Sequence, residues 1–542
     1  MKFIFPIILF LLFSCSKSEQ APNPDKPIFQ VLDVKLGNQS LGSLAKGISL
    51  NETFSISFDQ ALDVSQLENN IYIEREDKSI VPLQLQASTD KKTVQIQAKE
   101  AFQGLTKYML HIGNNLKSID GALLQQASSY TFHTTIDDRD KFPRISEEEL
   151  LNKVQKQTFA FFWDYAHPHS GMIRERHSSG ETVTIGGTGF GLMAILVGIE
   201  RQFITKSQGL ERVHNILNFL KNADRYHGAF SHWYHGGTGK TIPFSAKDDG
   251  ADLVETALLF QGLLAAREYF QDAALSQAIN SLYQAVEWNF FQQGQDVLYW
   301  HWSPTHGWDM NLKIAGWNEA LIVYVLAAGS TNYSISKSVY DAGWAKNGAI
   351  KNGKSFYNYI LPLGEDLGGP LFLSQYSFLG INPLGLKDAY ADYELQTKNH
   401  TLINRAYSIA NPKQYYGYSS NVWGLTAGDI PSGYGAQSPQ QDIGVIAPTA
   451  SISSIAFTPK ESKEALSYFY YKLGDKLWGE YGFKDGFSLD ELWFADSYLA
   501  IDQGPIIISI ENHRSQLLWK QVMKAAEIKN GLKKLGFTSP NL

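Results

Sequence analysis

The sequence predicts an all-α (α/α)6 toroid preceded by a small all-β sandwich, and three observations carry that prediction. All 12 tryptophans of the 542-residue chain lie between Trp163 and Trp519, so the chain changes character near residue 145. Before that point apolar residues alternate with polar ones, the two-residue period of a half-buried strand. After it they recur at helical spacing, and striped helices alternate with helices that are apolar all round, six of each. A helix apolar on every side must be buried, whereas a striped one lies at the surface. Alternation of the two therefore predicts an inner ring of helices inside an outer one.

The first residues read as a processing signal. Lys2 precedes an apolar run, Phe3 to Phe13, that is too short to span a bilayer. It ends in Leu12-Phe13-Ser14-Cys15, the pattern of a bacterial lipoprotein signal over residues 1–15, with Cys15 as the lipidated N-terminus. An ordinary signal peptide cut nearby is the alternative. Cys15 is the only cysteine, which excludes an intramolecular disulfide and a cysteine-based metal cluster. Residues 16–27, rich in Ser, Pro, Asn, Lys and Asp, read as a solvated tether. No later segment has the length and apolarity of a membrane span. The expectation is an exported protein, lipid-anchored to the cell envelope at the outer membrane, on its periplasmic or its surface face, with no other membrane contact.

Residues 28–135 supply the sandwich. Phe54, Ile56 and Phe58 face one way, as do Ile71 and Ile73, Val94 and Ile96, and Tyr108, Leu110 and Ile112; Tyr130 and Phe132 give a last strand. Turn signals such as Ser88-Thr-Asp-Lys-Lys92 and Ile119-Asp-Gly121 separate them. With Phe58-Asp-Gln-Ala-Leu-Asp63 and Tyr130-Thr-Phe-His-Thr-Thr135, the stretch resembles bacterial Ig-like domains. It carries no titratable cluster and reads as a spacer or docking module. Residues 136–146, with the charged run Asp137-Asp-Arg-Asp140 and then Pro143, form the linker.

Residues 147–535 supply the toroid. The striped helices are expected over Glu147–Tyr165, Leu210–Arg225, Ala273–Phe291, Ser336–Lys346, Asp388–Ile409 and Lys460–Leu473. The buried ones are expected over Gly189–Ile204, Ala251–Phe270, Trp317–Ala328, Leu371–Leu379, Thr449–Phe457 and Gly504–Ile510, leading into Arg514–Ala526. In such a barrel the loops entering the inner helices cluster at one mouth, and the notable residues fall on those loops.

A net charge of −7 without a lysine- or arginine-rich patch argues against nucleic acid and against a polyanionic substrate. A neutral ligand fits better, and the 13% aromatic content suits a sugar-binding cleft. The stretch Leu298 to Glu319 places Trp300, Trp302, Trp308 and Trp317 ahead of one carboxylate and an apolar run. Indole faces stack on the apolar faces of sugar rings, and a carboxylic acid can protonate a glycosidic oxygen. Glu319, at the head of a buried helix, would have its pKa raised by desolvation, as a general acid requires. An aromatic packing cluster is the bland alternative.

Upstream, Asp248, Asp252 and Glu255 share one face at a helix start. Asp249 as an N-cap with Asp252 at N3 would account for part of this. The other reading is a set of acceptors for sugar hydroxyls. His232, Trp233 and His235 lie on a hairpin with a glycine-rich turn; no helical His pair accompanies them, so no metal is expected. Trp423 and Tyr434 fall in a long Gly- and Tyr-rich segment of binding-loop character. Asp485 and Asp502 close the set, with Asp502 just before the last inner helix and Gly504-Pro505 setting the turn.

Several motifs in order resemble the bacterial glucoamylase-like domain, the group that includes the endo-β-1,2-glucanases of glycoside hydrolase family 144. They are Lys247–Glu255, Tyr299-Trp-His-Trp-Ser-Pro304, Gly316-Trp-Asn-Glu-Ala-Leu-Ile-Val-Tyr324, Gly368-Gly-Pro-Leu371, Asn399–Arg405, Trp423-Gly-Leu-Thr-Ala427 and Ile501-Asp-Gln-Gly-Pro505. The resemblance covers roughly residues 147–530. It implies an (α/α)6 barrel, no cofactor, and inverting hydrolysis of β-1,2-glucan to short, sophorose-type oligosaccharides. It carries functional carboxylates onto Asp248, Asp252, Glu255 and Glu319, with Asp502 and then Asp485 as the base. The Gly236-Gly-Thr-Gly-Lys240 segment departs from the more aromatic, acidic pattern of relatives, which bears on subsite preference. Exo action, another β- or α-glucan, and a non-catalytic glycan-binding lipoprotein stand as alternatives. The expected partners are a glucan and a neighbouring importer of its fragments.

Overall fold

The computed structural model describes residues 28–37 and 39–542; the signal segment, Cys15 and the tether lie outside the described residues. The chain divides into two compact units between Asp137 and Asp138. No helix among the described residues is long and apolar enough to cross a membrane.

The first unit is two five-stranded sheets. One holds β1 (Val31–Leu36), β2 (Gln39–Ser40), β4 (Thr53–Phe58), β7 (Leu83–Ala87) and β8 (Thr93–Ala98); the other holds β3 (Leu44–Ile48), β5 (Ile71–Arg75), β6 (Ile80–Val81), β9 (Lys107–Ile112) and β10 (Ser128–Thr134). The alternation seen in sequence is what fills the core. Phe54 faces Ile96 and Ile56 faces Val94 across one antiparallel pair, and Ile73 faces Leu110 across another. All six side chains are buried. A single helical turn, α1 (Leu67–Asn70), leads into β5.

The second unit is helical. Its longer helices are α2 (Glu147–Trp163), α3 (Ile185–Glu200), α4 (Lys206–Asn222), α5 (Leu253–Phe270), α6 (Ala273–Gln284) and α7 (Leu321–Gly329). After the short α8 (Lys337–Val339) come α9 (Tyr393–Ala410), α10 (Pro448–Ile452), α11 (Pro459–Leu477), α12 (Ala500–Ser515), α13 (Leu517–Val522) and α14 (Ala526–Leu535). Capping boxes start the two surface helices α2 and α4: Ser146 with Glu149, and Thr205 with Gln208. The buried helices α3, α5, α7 and α12 carry almost no polar stripe, and packing rather than propensity holds them.

Contacts among the buried elements close on themselves. α3 packs on α5, and α5 on α7. The α7 backbone donates from Ile322 N to Ser377 Oγ at 3.0 Å. Gln375 then donates to the Ala450 carbonyl of α10, α10 packs on α12, and α12 returns to α3. The striped α2, α4, α6 and α11 pack on α12, α3, α5 and α10 from outside.

Four sequence expectations need correction. Residues 371–379 form two 3-10 turns, Leu371–Ser374 and Tyr376–Leu379, instead of one buried α-helix. There Ser374, Gln375 and Ser377 spend their side chains on His400, Ala450 and Ile322. The helix expected over Ser336–Lys346 is only one turn of α8 followed by a π turn, Tyr340–Trp344, stopped by positive φ at Lys346 and Asn347. The helix expected from Trp317 begins at Leu321, because Asn318 Oδ1 accepts from Ala320 N and makes a local turn there. Last, α12 begins at Ala500, so Asp502 sits in its first turn and Pro505 lies inside it. Pro505, the sixth residue of α12, has no N–H to give the Ile501 carbonyl, so the ladder lacks that bond.

Candidate active site

A cavity of about 460 Å3 opens among the segments that enter α3, α5, α7 and α12. A larger surface groove, about 960 Å3, lies around Arg144, Lys463 and Lys472. Its charges are spent on one another, Arg144 and Lys472 on Asp140 and Lys463 on Glu147, which leaves the smaller cavity as the chemically equipped one.

Its first wall is acidic. Asp252 is the N-cap of α5, and its Oδ1 accepts from Val254 N at 3.0 Å and Glu255 N at 2.9 Å. Its Oδ2 lies 3.0 Å from Nδ1 of His232. Burial alone would raise the Asp252 carboxyl, but His232 and His301 hold it below its ordinary value. Burial likewise opposes charge on His232, yet Glu255, Asp252 and Asp248 together push its pKa up to about 9. Glu255 accepts from Gly186 N at 2.6 Å, at the start of α3; burial and then the neighbouring Asp252 charge keep its carboxyl above the usual range.

Glu319 lines the same cavity on the loop before α7. Burial, with smaller contributions from the charges of Asp252 and Glu255, raises its pKa to about 7. Ser377 Oγ donates to the Glu319 carbonyl and fixes the loop. A carboxyl poised near neutrality is suited to giving up a proton during a reaction.

A second acidic group lies within electrostatic reach of the cavity lining. Asp485 and Asp502 are buried with their carboxyls at hydrogen-bonding range of each other. Asp485 Oδ1 and Asp502 Oδ2 are buried and meet no donor, the setting in which two neighbouring carboxyls resist ionising together. Burial raises Asp485 to about 6 and, together with the Asp485 charge, lifts Asp502 well above the ordinary carboxylate range. The pair titrates as one unit. Asp429 N donates to Asp485 Oδ2 at 2.5 Å. The hydroxyl of Tyr376, a cavity-lining residue, lies within electrostatic reach of Asp502, Glu319 and Asp485, and burial with their charges raises its pKa.

The sequence-predicted residues divide into three groups. Glu319, Asp252, Glu255, His232, Trp233, Trp300 and Tyr434 line the cavity; Asp485 and Asp502 do not, but their charges reach the lining residues Tyr376 and Tyr434. Asp248 and Asp249 flank it. Asp248 Oδ1 is 3.3 Å from His301 Nδ1, and Asp249 accepts from Ser303 and Thr305, which pull its pKa down against burial. Trp302, Trp317 and Trp423 do not reach it. Trp302 packs among Tyr226, His227 and Phe290; Trp317 packs among Trp344, Phe378 and Tyr393; Trp423 is fully buried. For Trp302 and Trp317 the packing-cluster alternative holds.

Sequence reasoning missed Glu175, Arg176, Phe244, Phe372 and Tyr376, which also line the cavity. Glu175 and Arg176 lie on the segment leading toward α3, so the rule that loops entering inner helices build the mouth would have found them. Nothing in the residues around Tyr376 marks it out.

His232, Asp248 and Asp252 offer ligand atoms within 4.8 Å of one another, a spacing a divalent cation could use. A metal needs neutral imidazole. His232 commits Nδ1 to Asp252 at 3.0 Å, and the surrounding carboxylates raise its pKa to about 9, so a cation bound there would have to displace that proton.

Residues 311–526 match a family model described as "Putative glucoamylase", and residues 36–134 match the bacterial Ig-like domain. The chain is 40% identical over 446 residues to an exo β-1,2-glucooligosaccharide sophorohydrolase (non-reducing end) of Parabacteroides distasonis, covering 77% of this chain. It spans 61% of the length of that curated relative. Among solved structures, an endo-β-1,2-glucanase from Chitinophaga pinensis in complex with sophorotriose and glucose is 50% identical, with a TM-score of 0.72, covering 74% of this chain and 100% of its own. A β-1,2-glucanase from Parabacteroides distasonis is 33% identical, with a TM-score of 0.71, covering 93% of this chain and 73% of its own.

Proposed function

Because the chain belongs to the glucoamylase-like family of glycoside hydrolases, we propose that it hydrolyses β-1,2-glucan to short, sophorose-type oligosaccharides with inversion at the anomeric carbon. The observation that carries the mechanism is two buried acidic centres of different protonation within reach of one cavity-lining residue, Tyr376: Glu319, raised to about 7, and the Asp485–Asp502 pair. Glu319 gives its proton to the bridging oxygen. A water attacks the anomeric carbon from the opposite face and passes its proton to the ionised member of the pair, directly or through a hydroxyl. Inversion needs the acid and base carboxyls about 6.5–9.5 Å apart, with room for that water.

The rest of the cavity supports a neutral sugar. Trp233, Phe244, Trp300, Phe372 and Tyr434 offer stacking faces, while Asp252 and Glu255 offer acceptors for hydroxyls. The closed sequence of buried-helix contacts supports an (α/α)6 toroid as the scaffold. Both an exo-acting and an endo-acting relative share the fold, and the size of the first products separates the two modes. The expected result is short β-1,2-linked oligosaccharides from linear β-1,2-glucan and nothing from laminarin, cellulose oligomers or starch, with the first-formed anomer inverted by NMR. Retention, or release from another glucan alone, would overturn the assignment.

We also infer that the protein is exported and lipid-anchored through Cys15, on the strength of the Lys2 to Cys15 pattern. A neighbouring importer would then take up the fragments. Incorporation of labelled fatty acid into the wild type but not into Cys15→Ala is the check.

A further inference from the structure

We propose that Arg176 is a positioning residue for hydrolysis: by clamping Asp429 it holds the Asp485–Asp502 pair in the singly ionised state that can accept a proton. The proposal rests on the hydrolytic reading above and adds a residue that none of the motifs pointed to.

The geometry is a chain of contacts. Arg176 Nη1 lies 3.2 Å from both carboxylate oxygens of Asp429, and its Nε lies 3.0 Å from Glu175 Oε2. Ser497 donates to Asp429 Oδ2 at 2.5 Å. The backbone N–H of the same Asp429 then donates to Asp485 Oδ2 at 2.5 Å. A Cβ on Gly428 would stand 3.0 Å from that oxygen, so backbone and carboxylate are in close contact. Arg176 also bridges to the Leu499 backbone, just before the helix that carries Asp502.

The charge balance makes the guanidinium necessary. Within electrostatic reach of the acid pair are Asp429 and Tyr434 from the Ala427–Ala436 hairpin and Tyr376 from the 3-10 turns; Glu175, beside Arg176, acts on Tyr434, and Glu319, from the loop before α7, on Tyr376. Thr449, from α10, is spent on the Asp502 carbonyl. Arg176 is the only arginine or lysine among the described residues that line the cavity. Both carboxyls of the pair are raised by burial and by Asp429, and both are lowered by Arg176. Without it, Glu175, Asp429 and the pair would face one another uncompensated. The pair would then keep its second proton to higher pH and could not act as a base.

The test is the pH profile of kcat/KM on linear β-1,2-glucan for the wild type, Arg176→Gln, Arg176→Lys, Asp429→Asn and the double variant Arg176→Gln/Asp429→Asn. Arg176→Gln should move the acidic limb up by about one pH unit, the size of effect an opposite charge has on a nearby carboxyl. Asp429→Asn removes a negative charge but keeps the backbone donor, so it should move that limb down. The double variant should fall near the wild type, and Arg176→Lys should keep the wild-type limb even if its rate is lower. A uniform loss of activity at every pH, with no displacement of the limb, would reduce Arg176 to a structural part and overturn the proposal. If the wild type leaves β-1,2-glucan intact, the substrate reading fails first. Titration of 13C-labelled aspartate carboxyls, assigned with Asp485→Asn and Asp502→Asn, then reads the same opposed shifts without turnover.

Discussion

The two oxygens of Asp252 do different work: Oδ1 caps α5, while Oδ2 lies 3.0 Å from Nδ1 of His232. One carboxylate therefore ties the stability of a buried helix to the charge of a cavity-lining histidine. Asparagine is as good an N-cap as aspartate, so Asp252→Asn should keep the helix start and lose only the ionic partner. Asp252→Ala loses both, and should be less stable than Asp252→Asn by about 1 kcal/mol in thermal or denaturant unfolding. Equal stability of the two variants would mean that the cap contributes nothing measurable.

The same pair gives stability a pH dependence with a definite sign. The His232 pKa is raised from 6.5 to about 9 in the folded protein. A raised histidine stabilises the fold fully below its unfolded pKa, and loses that contribution as pH climbs through the folded value. The wild type should therefore be more stable than His232→Gln at pH 6, and the gap should narrow steadily between pH 6.5 and 9. A gap that stays constant across that range would show that His232 stabilises by packing alone.

Glu319 works in the opposite sense. Its folded pKa of about 7 lies above the ordinary 4.5, so ionisation is easier in the unfolded chain. Stability due to this group falls as pH rises from about 4.5 to 7. Glu319→Gln should thus melt higher than the wild type at pH 8 and at nearly the same temperature at pH 4.5. The same substitution should lower kcat by about 10²–10⁴-fold, the usual contribution of a general acid, with KM little changed. An aryl glycoside whose phenol leaves without protonation should suffer far less. A variant that loses binding and keeps turnover would assign Glu319 to recognition.

The residues that were legible in the sequence are those whose role follows from local pattern. Phe54, Ile56 and Phe58 announce a strand by alternation, and Glu319 announces itself as the one acid heading an apolar run. Asp252 was legible as an acid at a helix start, but the expected cap, Asp249 with Asp252 at N3, was misplaced: α5 begins at Leu253, so Asp252 is itself the N-cap. Tyr376 and Arg176 were not legible, because their importance lies in what the closed ring of helices sets beside them. Tyr376 meets Asp502 from 126 positions away, and Arg176 meets Asp429 from 253. Tryptophan misled in the other direction. Trp302, Trp317 and Trp423 share the Asn-, Gly- and His-rich setting of Trp300, but Trp302 and Trp317 have other aromatic rings for neighbours and Trp423 is fully buried.

The last prediction concerns the crossing of α3 and α5, which sets the acidic wall. A Cβ on Gly262 would lie 2.1 Å from the Gly189 carbonyl oxygen, and one on Gly189 would lie 2.2 Å from the Leu258 carbonyl oxygen. Both obstacles are backbone, so neither can swing aside, and an alanine forces the helices apart. Close by, less than one turn back along α3 and about two turns back along α5, Glu255 Oε2 accepts from Gly186 N at 2.6 Å. Widening the crossing lengthens that bond and displaces a cavity-lining carboxylate. Gly262→Ala should therefore cost about 3 kcal/mol or more, at the upper end of overpacking penalties, and should lower activity as well. Gly191→Ala, in the same α3, provides the contrast. Its Cβ would meet the Ile173 side chain at 2.4 Å, a group that can change rotamer, so its cost should be smaller and activity should survive. Paired melts and rates on the two variants decide the matter: equal losses would mean that the close approach of backbones is not what fixes the position of Glu255.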